Sequence, residues 1–544
     1  MMKFAIYFEG DAYSTAKKIM GRQSAGKAFL KGVARAWPEG VVSGLGSHSG
    51  SAKQLLQQLQ QDGFKGRLVW NHLPLTGHTD AISTLYYPAP PTKELAALRN
   101  LIHPAAYSLM GVTHTLSSTG AMDQVASLVL PPFHPWDALI CTSSAAKSFV
   151  SSLHAEMRAY WQDTIGATRF VDVQLPVIPL GVDAPAFKSR EGKHAQARAE
   201  LSIQDSETVF FFAGRLSFHA KANPAPVYQA LEKVAKGKKI VCIEAGIFPN
   251  DAIKQGFLAA QKALAPSVRF IWVDGQDEVR YQQAWQGADV FVSLSDNIQE
   301  TFGLTPVEAM AAGLPVVVSD WNGYKDTVRD GVDGYRIPTI LPPEGAGSDL
   351  ALRHALDLDT YDFYIGRTSL ATVVDPQALE QALNRLAMDA DLRLRMGLAG
   401  QARAIAEFDW PVILQRYSLL ATHLDGIRAH ALLMPAQPWP QRADPFHRFA
   451  HFSTHTLSGH SQVQAKPDAN AKLQVLMSLT MANYAFDATL LPRGAVLAAL
   501  AALKSGQPQT VSAILGSAGL AKPLGLRALM WLWKFDLVDV WVVS

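Results

Sequence analysis

Short apolar runs ending in polar loops recur along the first two-thirds of the chain. "KFAIYFEG" (3–10), "GRLVWNHLP" (66–74), "YSLMGVTHT" (107–115), "WDALICTS" (136–143) and "LPVIPLGVD" (175–183) read as strands. Between them the polar and apolar positions take a helical period, as in Ser51–Gln61 and Ser144–Trp161. A second series follows "APAFKSREGKHAQARAEL": "TVFFFAGR" (208–215), "KKIVCIEAG" (238–246), "SVRFIWVDG" (267–275), "ADVFVSLS" (288–295) and "LPVVVSD" (314–320). Helical patterns over Ala225–Lys236 and Asp251–Ala265 separate these runs. Such alternation predicts α/β structure, parallel sheets with helices on both faces. Two series predict two doubly wound, Rossmann-like domains, 1–185 and 186–408, with ligands at the carboxyl ends of the strands and in the cleft between domains.

After Ser369 the pattern turns helical. A Pro- and His-rich linker is expected over 431–464, and a small, mostly helical accessory module over 465–544. The stretch "QTVSAILGSAGL…LRALMWLWKFDLVDV" resembles a winged-helix pattern, but 505–544 is poor in Arg and Lys. A DNA reader needs a basic face, so an interaction or dimerisation module is the simpler reading, and a homodimer through it is left open.

Composition narrows the class. At roughly 150 residues per domain, 544 residues make three or four units. Hydrophobic residues reach 48% and charged ones only 18%, the balance of a chain with large cores. With 49 basic and 47 acidic residues, no global field attracts nucleic acid, and an anion site must be local. Cys141 and Cys242 lie far apart in apolar runs and read as buried reduced thiols. "MMKFAIYFEGDAYS" enters a strand without the features of a leader, and no apolar run approaches the ~18 residues of a membrane span. A soluble, cytoplasmic protein is expected, with peripheral membrane contact left open.

Several stretches carry candidate chemistry. "GRQSAGKA" (Gly21–Ala28) has P-loop spacing, but Ala28 stands where a magnesium-binding hydroxyl is needed and no strand immediately precedes it. Gly21 and Gly26 are left a weaker role, letting backbone amides approach a diphosphate. In "FFFAGRLSFHAK" a buried strand ends at Gly214 and delivers Arg215, with Lys221 six residues later. Two cations on one strand-end loop can neutralise a diphosphate, one as a fork and one as a point charge. In "QETFGLTPVEAMAAGLPVV" a helix is expected over Pro306–Ala312, with Thr305 as N-cap, Glu308 as its capping-box partner and Gly313 past its end. That box gives Glu308 a structural reason. Glu300 has none, because it lies before the turn where the chain leaves the sheet. The amides of Phe302, Gly303 and Leu304 lie beside the helix start and could meet a phosphate or sugar oxygen. His447, His451 and His455 are spaced four apart, but no Asp, Glu or Cys completes a metal set nearby, and Pro445 favours a loop or short surface helix. No metal site is expected.

The pair Glu300 and Glu308 is an E-x7-E motif. With "GRLSFHAK", "VIPLGVD", "GVTHT" and "GLPVVVSDWNGYKDTVRDGVDGYRI" it resembles the retaining group-1 glycosyltransferases of the GT-B fold. The resemblance covers residues 3–425 and is strongest at 208–224 and 288–338. It implies a nucleotide-sugar donor held mainly by the second domain. Arg215 and Lys221 would hold the donor diphosphate, Glu300 the sugar hydroxyls around C3, and Glu308 the ribose hydroxyls. The amides of Phe302, Gly303 and Leu304 would help position the donor. His114 would approach the sugar near its C6 hydroxyl and the reacting carbon; read alone, it is an ordinary structural histidine. Gly21 and Gly26 would face the diphosphate from the first domain, and "FDW" (408–410) would open a helix, 409–430, crossing back to that domain. The sequence departs from the family in two places. Many members set the lysine five residues after the arginine, not six, and 339–374 is longer than a minimal member needs.

The family implies sugar transfer to an acceptor hydroxyl (of a glycan, lipid or small molecule) with retained anomeric configuration. An oxocarbenium-like transition state parting from a diphosphate is stabilised by cations on the leaving group, which could stand in for a metal. No cofactor is expected beyond the donor substrate, and no paired-carboxylate hydrolytic mechanism is implied. A non-catalytic nucleotide-sugar sensor and a GT-B-fold sugar-nucleotide epimerase are the alternatives.

Overall fold

Both series of apolar runs form parallel sheets in the computed structural model, which describes residues 2–8, 13, 21–46, 49–72, 82–187, 192–431, 435, 439–488, 490–503 and 506–542. The first sheet contains β1 (Ala5–Tyr7), β2 (Val41–Gly46), β3 (Arg67–His72), β4 (Thr84–Tyr86), β5 (Ser108–Val112) and β6 (Ala138–Ile140), in the order β3-β2-β1-β4-β5-β6. The second contains β7 (Thr208–Ala213), β8 (Ile240–Gly246), β9 (Arg269–Asp274), β10 (Val290–Ser293), β11 (Val316–Ser319) and β12 (Gly334–Ile337), in the order β12-β11-β10-β7-β8-β9. Every pairing within the two sheets is parallel. Both orders are the doubly wound 3-2-1-4-5-6 pattern, so each sheet reverses its winding once, between β1 and β4 and between β7 and β10. This is the two-domain GT-B architecture, and each sheet is buried between two apolar clusters.

The expected strand over 175–183 does not form. The segment makes only isolated bridges, from Gln174, Val177 and Val182, because Pro176 and Pro179 have no N–H to give a ladder. β2, β4 and β12 are strands that the apolar runs do not announce. β2 is broken by glycine for packing: a Cβ on Gly44 would lie 2.8 Å from the Trp70 ring.

The helix Trp410–Ala429 buries Trp410, Ile413, Leu414, Tyr417 and Leu424 in the core of the first sheet. Glycines make room for it: a Cβ on Gly181 would lie 2.4 Å, and one on Gly32 2.5 Å, from Trp410 side-chain atoms. Its entry is fixed by Arg35, whose Nη1 donates to Asp183 (2.7 Å) and Asp409 (2.9 Å), and whose Nη2 donates to Asp409 (2.9 Å).

The chain divides into two units, Met1–Trp439 and Pro440–Ser544. The second has its own apolar core. Its helices accompany a three-stranded antiparallel sheet in which Gln462–Ala465 pairs with both Gln509–Thr510 and Val538–Trp541. His447 lies on the short helix Pro445–Arg448 and His451 on a separate turn, Ala450–Phe452, so the four-residue spacing does not align them on one helix face. Cys141 and Cys242 are both buried and unpaired. Among the described residues no helix is long and apolar enough to cross a membrane.

Candidate active site

The winding of the second sheet reverses between β7 and β10, the place at which a doubly wound sheet forms its ligand crevice. The β7 loop brings Arg215 and Lys221, and the β10 loop brings Glu300. Lys221 Nζ and the Glu300 carboxylate form an ion pair that joins the two loops. Arg215 Nη2 donates to the Ala220 carbonyl (2.8 Å) and to Gln299 Oε1 (3.1 Å). Asn297 ties the loops a third time: its Nδ2 donates to the His219 carbonyl (2.6 Å), while its Oδ1 accepts from the Gln299 amide (2.8 Å).

Charge and burial oppose each other here. Burial alone would raise the Glu300 carboxyl, but Lys221 and the amides of Phe302 and Gly303 reverse that and hold it below the usual glutamate range. Burial disfavours the Lys221 ammonium too, and the Glu300 carboxylate outweighs it, so its pKa is raised. The ion pair is therefore fully charged at neutral pH. Two of the three amides singled out from the sequence, those of Phe302 and Gly303, are directed onto the Glu300 carboxylate.

The helix carrying Glu308 begins earlier than expected, at Leu304, and ends at Ala311. Its N-cap is Gly303 at φ +89°, with no side-chain cap bond, and the buried Thr305 hydroxyl has no hydrogen-bond partner. The Thr305–Glu308 capping box is thus corrected. The left-handed Gly303 turns the chain into the helix two residues before Thr305, which takes the hydroxyl past the capping position. Glycine is required at 303, because a Cβ would lie 1.9 Å from the Tyr324 ring. Half-buried Glu308 loses its structural reason, and burial pushes its carboxyl up to about 7, against the pull of Lys221. Gly313, at φ +74°, does follow the helix end as expected.

Supporting residues that sequence reasoning did not single out hold this turn. Tyr324 lies fully buried with its hydroxyl 2.9 Å from Ser293 Oγ. Asn322 Nδ2 donates to the Glu300 carbonyl, and Trp321 Nε1 to the Asn297 carbonyl (3.1 Å). All three lie in "WNGYKD", a stretch quoted for its family likeness without a role for each residue.

The first domain meets the β10 loop at Ser143. Ser143 caps the helix Ser144–Ile165 and its Oγ donates to the Thr301 carbonyl (2.8 Å). His114 follows β5, half-buried, with Nε2 donating to the Pro88 carbonyl (2.9 Å). Gly21 and Gly26 both lie on the helix Gly21–Ala36, and Gly26 is buried. The Gly26 amide is used inside the helix, so close approach there rests on its missing side chain rather than on a hydrogen bond.

Lys221, Phe302 and Gly303 therefore all engage Glu300, Arg215 is bonded to the neighbouring Gln299, Leu304 opens the next helix, and Glu308 follows one turn on. Two cations, two carboxylates and two inward amides at a sheet reversal fit a ligand with a polyanionic middle and hydroxyl-bearing ends.

Residues 194–342 match the family model described as glycosyl transferases group 1. The chain is 28% identical over 268 residues to D-inositol 3-phosphate glycosyltransferase from Nocardia farcinica, covering 47% of this chain and 50% of that protein. It is 25% identical over 349 residues to alpha-maltose-1-phosphate synthase from Mycolicibacterium smegmatis, covering 59% of this chain and 81% of that one. The chain thus spans half the length of the first of these relatives. Among solved structures, Anabaena Alr3699/HepE in complex with UDP aligns at a TM-score of 0.49 and 17% identity, over 77% of this chain and 99% of that one. The segment 194–342, which holds β7, β10 and every charged residue of the crevice between them, is thus the part of the chain that is similar to the glycosyl transferases of group 1.

Proposed function

We propose that the protein is a retaining glycosyltransferase that moves a sugar from a nucleotide-diphosphate sugar to an acceptor hydroxyl. The observation that carries this is the Lys221–Glu300 ion pair at the β7–β10 reversal, with Arg215 bonded beside it to Gln299. Arg215 and Lys221 hold the diphosphate and stabilise the charge that gathers on it as the bond to the sugar breaks. They supply the positive charge there, and we assign no metal or cofactor to the site. Glu300 accepts from sugar hydroxyls once Lys221 turns to the phosphates, and the amides of Phe302, Gly303 and Leu304 are then available to the donor. Glu308, no longer explained as a cap, binds the ribose hydroxyls. His114 approaches the sugar from the first domain, and the turn at Gly21, with Gly26, faces the diphosphate. The acceptor oxygen bonds to the anomeric carbon on the face from which the diphosphate oxygen departs, which keeps the anomeric configuration, and the departing diphosphate takes the acceptor proton. The names of the relatives, a glycosyltransferase and a sugar-phosphate synthase, support this reading.

The test is incubation with a panel of nucleotide sugars and acceptors, assaying released nucleoside diphosphate and the anomeric configuration of the product. Arg215→Ala is expected to abolish transfer with the circular dichroism unchanged. Tight donor binding with no release in any pairing would sink the enzyme reading in favour of a sensor. Conversion of the donor without any acceptor would favour an epimerase.

A further inference from the structure

The segment 339–374 is the part of the second domain that the donor site does not use. It is closed at its base by antiparallel pairing of Thr339–Ile340 with Val373–Val374. It contains two helices, Ser348–Ala355 and Tyr361–Leu370. Their connection is fixed by the Asp359 carboxylate, which accepts from Arg353 Nε (2.9 Å) and Nη2 (3.1 Å) and pairs with Arg367 Nε (3.2 Å). Ile365 anchors the second helix, fully buried. The insertion is thus a braced hairpin.

The helix Tyr361–Leu370 touches both domains. On one side it lies on the cationic β7 loop: a Cβ on Gly366 would lie 3.1 Å from His219 Cβ, and Asp362 Oδ2 is 3.9 Å from His219 Nε2. His219 lies between Arg215 and Lys221 in sequence, and its carbonyl accepts from Asn297. On the other side the Tyr361 hydroxyl reaches the first domain. It lies 3.0 Å from Thr115 Oγ1 and 2.7 Å from Ser117 Oγ, and those two are 3.2 Å from each other. The three hydroxyls form a closed triangle, and Thr115 directly follows His114.

We propose that residues 339–374 form a latch between the domains, with Tyr361 as a positioning residue that ties the His114 loop to the donor-phosphate loop. This rests on the glycosyl-transfer reading above. With the latch made, the loop carrying His114 is held against the donor side of the crevice and the crevice is closed on that side. Closure serves two ends: it orders the residues around the reacting carbon, and it keeps water from competing with the acceptor. The hydroxyl therefore acts through His114 and through closure, without touching the substrate.

The test combines turnover with amide hydrogen exchange, on the full chain, for wild type, Tyr361→Phe, Ser117→Ala and the double variant. Tyr361→Phe removes one oxygen atom and no packing. Transfer kcat is expected to fall about tenfold with the donor KM within about twofold, because the loss is of positioning and not of donor contact. Donor hydrolysis should take a several-fold larger share of the released nucleoside diphosphate. The double variant should be no worse than the worse single one, since both remove the same triangle. Amides of residues 113–117 should exchange faster in Tyr361→Phe, while those of β7 do not change. Unchanged exchange at 113–117 overturns the latch whatever the turnover, and so do additive losses or a changed donor KM at constant kcat. A wild type that turns over no donor, with faster exchange in Tyr361→Phe, keeps the latch and refutes glycosyl transfer.

Discussion

Replacing Lys221 by alanine leaves the Glu300 carboxylate inside the β7–β10 crevice without its cation. The two side chains are only 20% and 17% exposed, so the pair is largely shielded from solvent. Removing one partner of a fully buried pair costs about 3–5 kcal/mol. Two amides stay on the carboxylate and about a fifth of it reaches water, so a loss of about 2–3 kcal/mol is expected. The pH dependence gives the reasoning its sharper form. In the wild type the Glu300 pKa is held below its ordinary 4.5, so its contribution to stability is present above that value and lost as pH falls through the folded pKa. Without Lys221, burial is the largest influence left, and the folded pKa moves above 4.5. The variant then loses stability as pH rises from 4.5 towards its new folded value. Its deficit must be largest near pH 8 and shrink towards pH 4. Urea unfolding of wild type, Lys221→Ala, Glu300→Gln and the double variant at pH 8 and pH 4.5 reads this directly. Both single variants should be less stable than the double at pH 8, because each strands one buried partner. A deficit equal at the two pH values, or no recovery in the double variant, would refute the assignment of Lys221 and Glu300 as one charged pair.

Other perturbations probe separate parts of the structure. Buried Glu244 accepts from Tyr228 (2.5 Å) and Gln261 (2.7 Å), and burial raises it from 4.5 to about 7. It therefore favours folding below pH 4.5, and that advantage is lost up to about pH 7; Glu244→Gln should remove about 3 kcal/mol of decline over this window, read by thermal melts at pH 5 and 8. Gly303→Ala puts a methyl group 1.9 Å from the Tyr324 ring at a left-handed φ, so a loss above about 2 kcal/mol and weaker nucleoside diphosphate binding are expected, by urea unfolding and calorimetry. Trp410→Ala empties the site cleared by Gly32 and Gly181 and should cost about 3–5 kcal/mol, measured by urea unfolding.

What could be read in the sequence follows the range of the forces involved. A strand buried on both faces is written as a continuous apolar run, and β7, β8, β10 and β11 were legible for that reason. β2 was not, because the glycine that admits Trp70 interrupts its run. The segment 175–183 reads as a strand by composition, but its prolines allow only isolated bridges. For β2 the deciding contact, with Trp70, is with a residue distant in the chain, whereas the prolines that break up 175–183 stand in the segment itself.

The site divides in the same way, and the division says which residues to interpret as functional. Glu308 had a local explanation, the capping box, and the structure removes it because Gly303 starts the helix early. Glu300 had no local explanation, and its partner proves to be Lys221, 79 residues away. Tyr361 was opaque for the same reason: its partners, Thr115 and Ser117, lie 246 and 244 residues away, in another domain. A local motif can therefore give a carboxylate a structural reason that its fold does not use. A carboxylate without one must be held by distant groups, and holding a charge inside a crevice takes several of them. For Glu300 these are Lys221 and the amides of Phe302 and Gly303, all groups that a diphosphate or a sugar hydroxyl can also engage. The groups that stabilise Glu300 in the crevice are thus of the kinds through which the proposed donor would be bound.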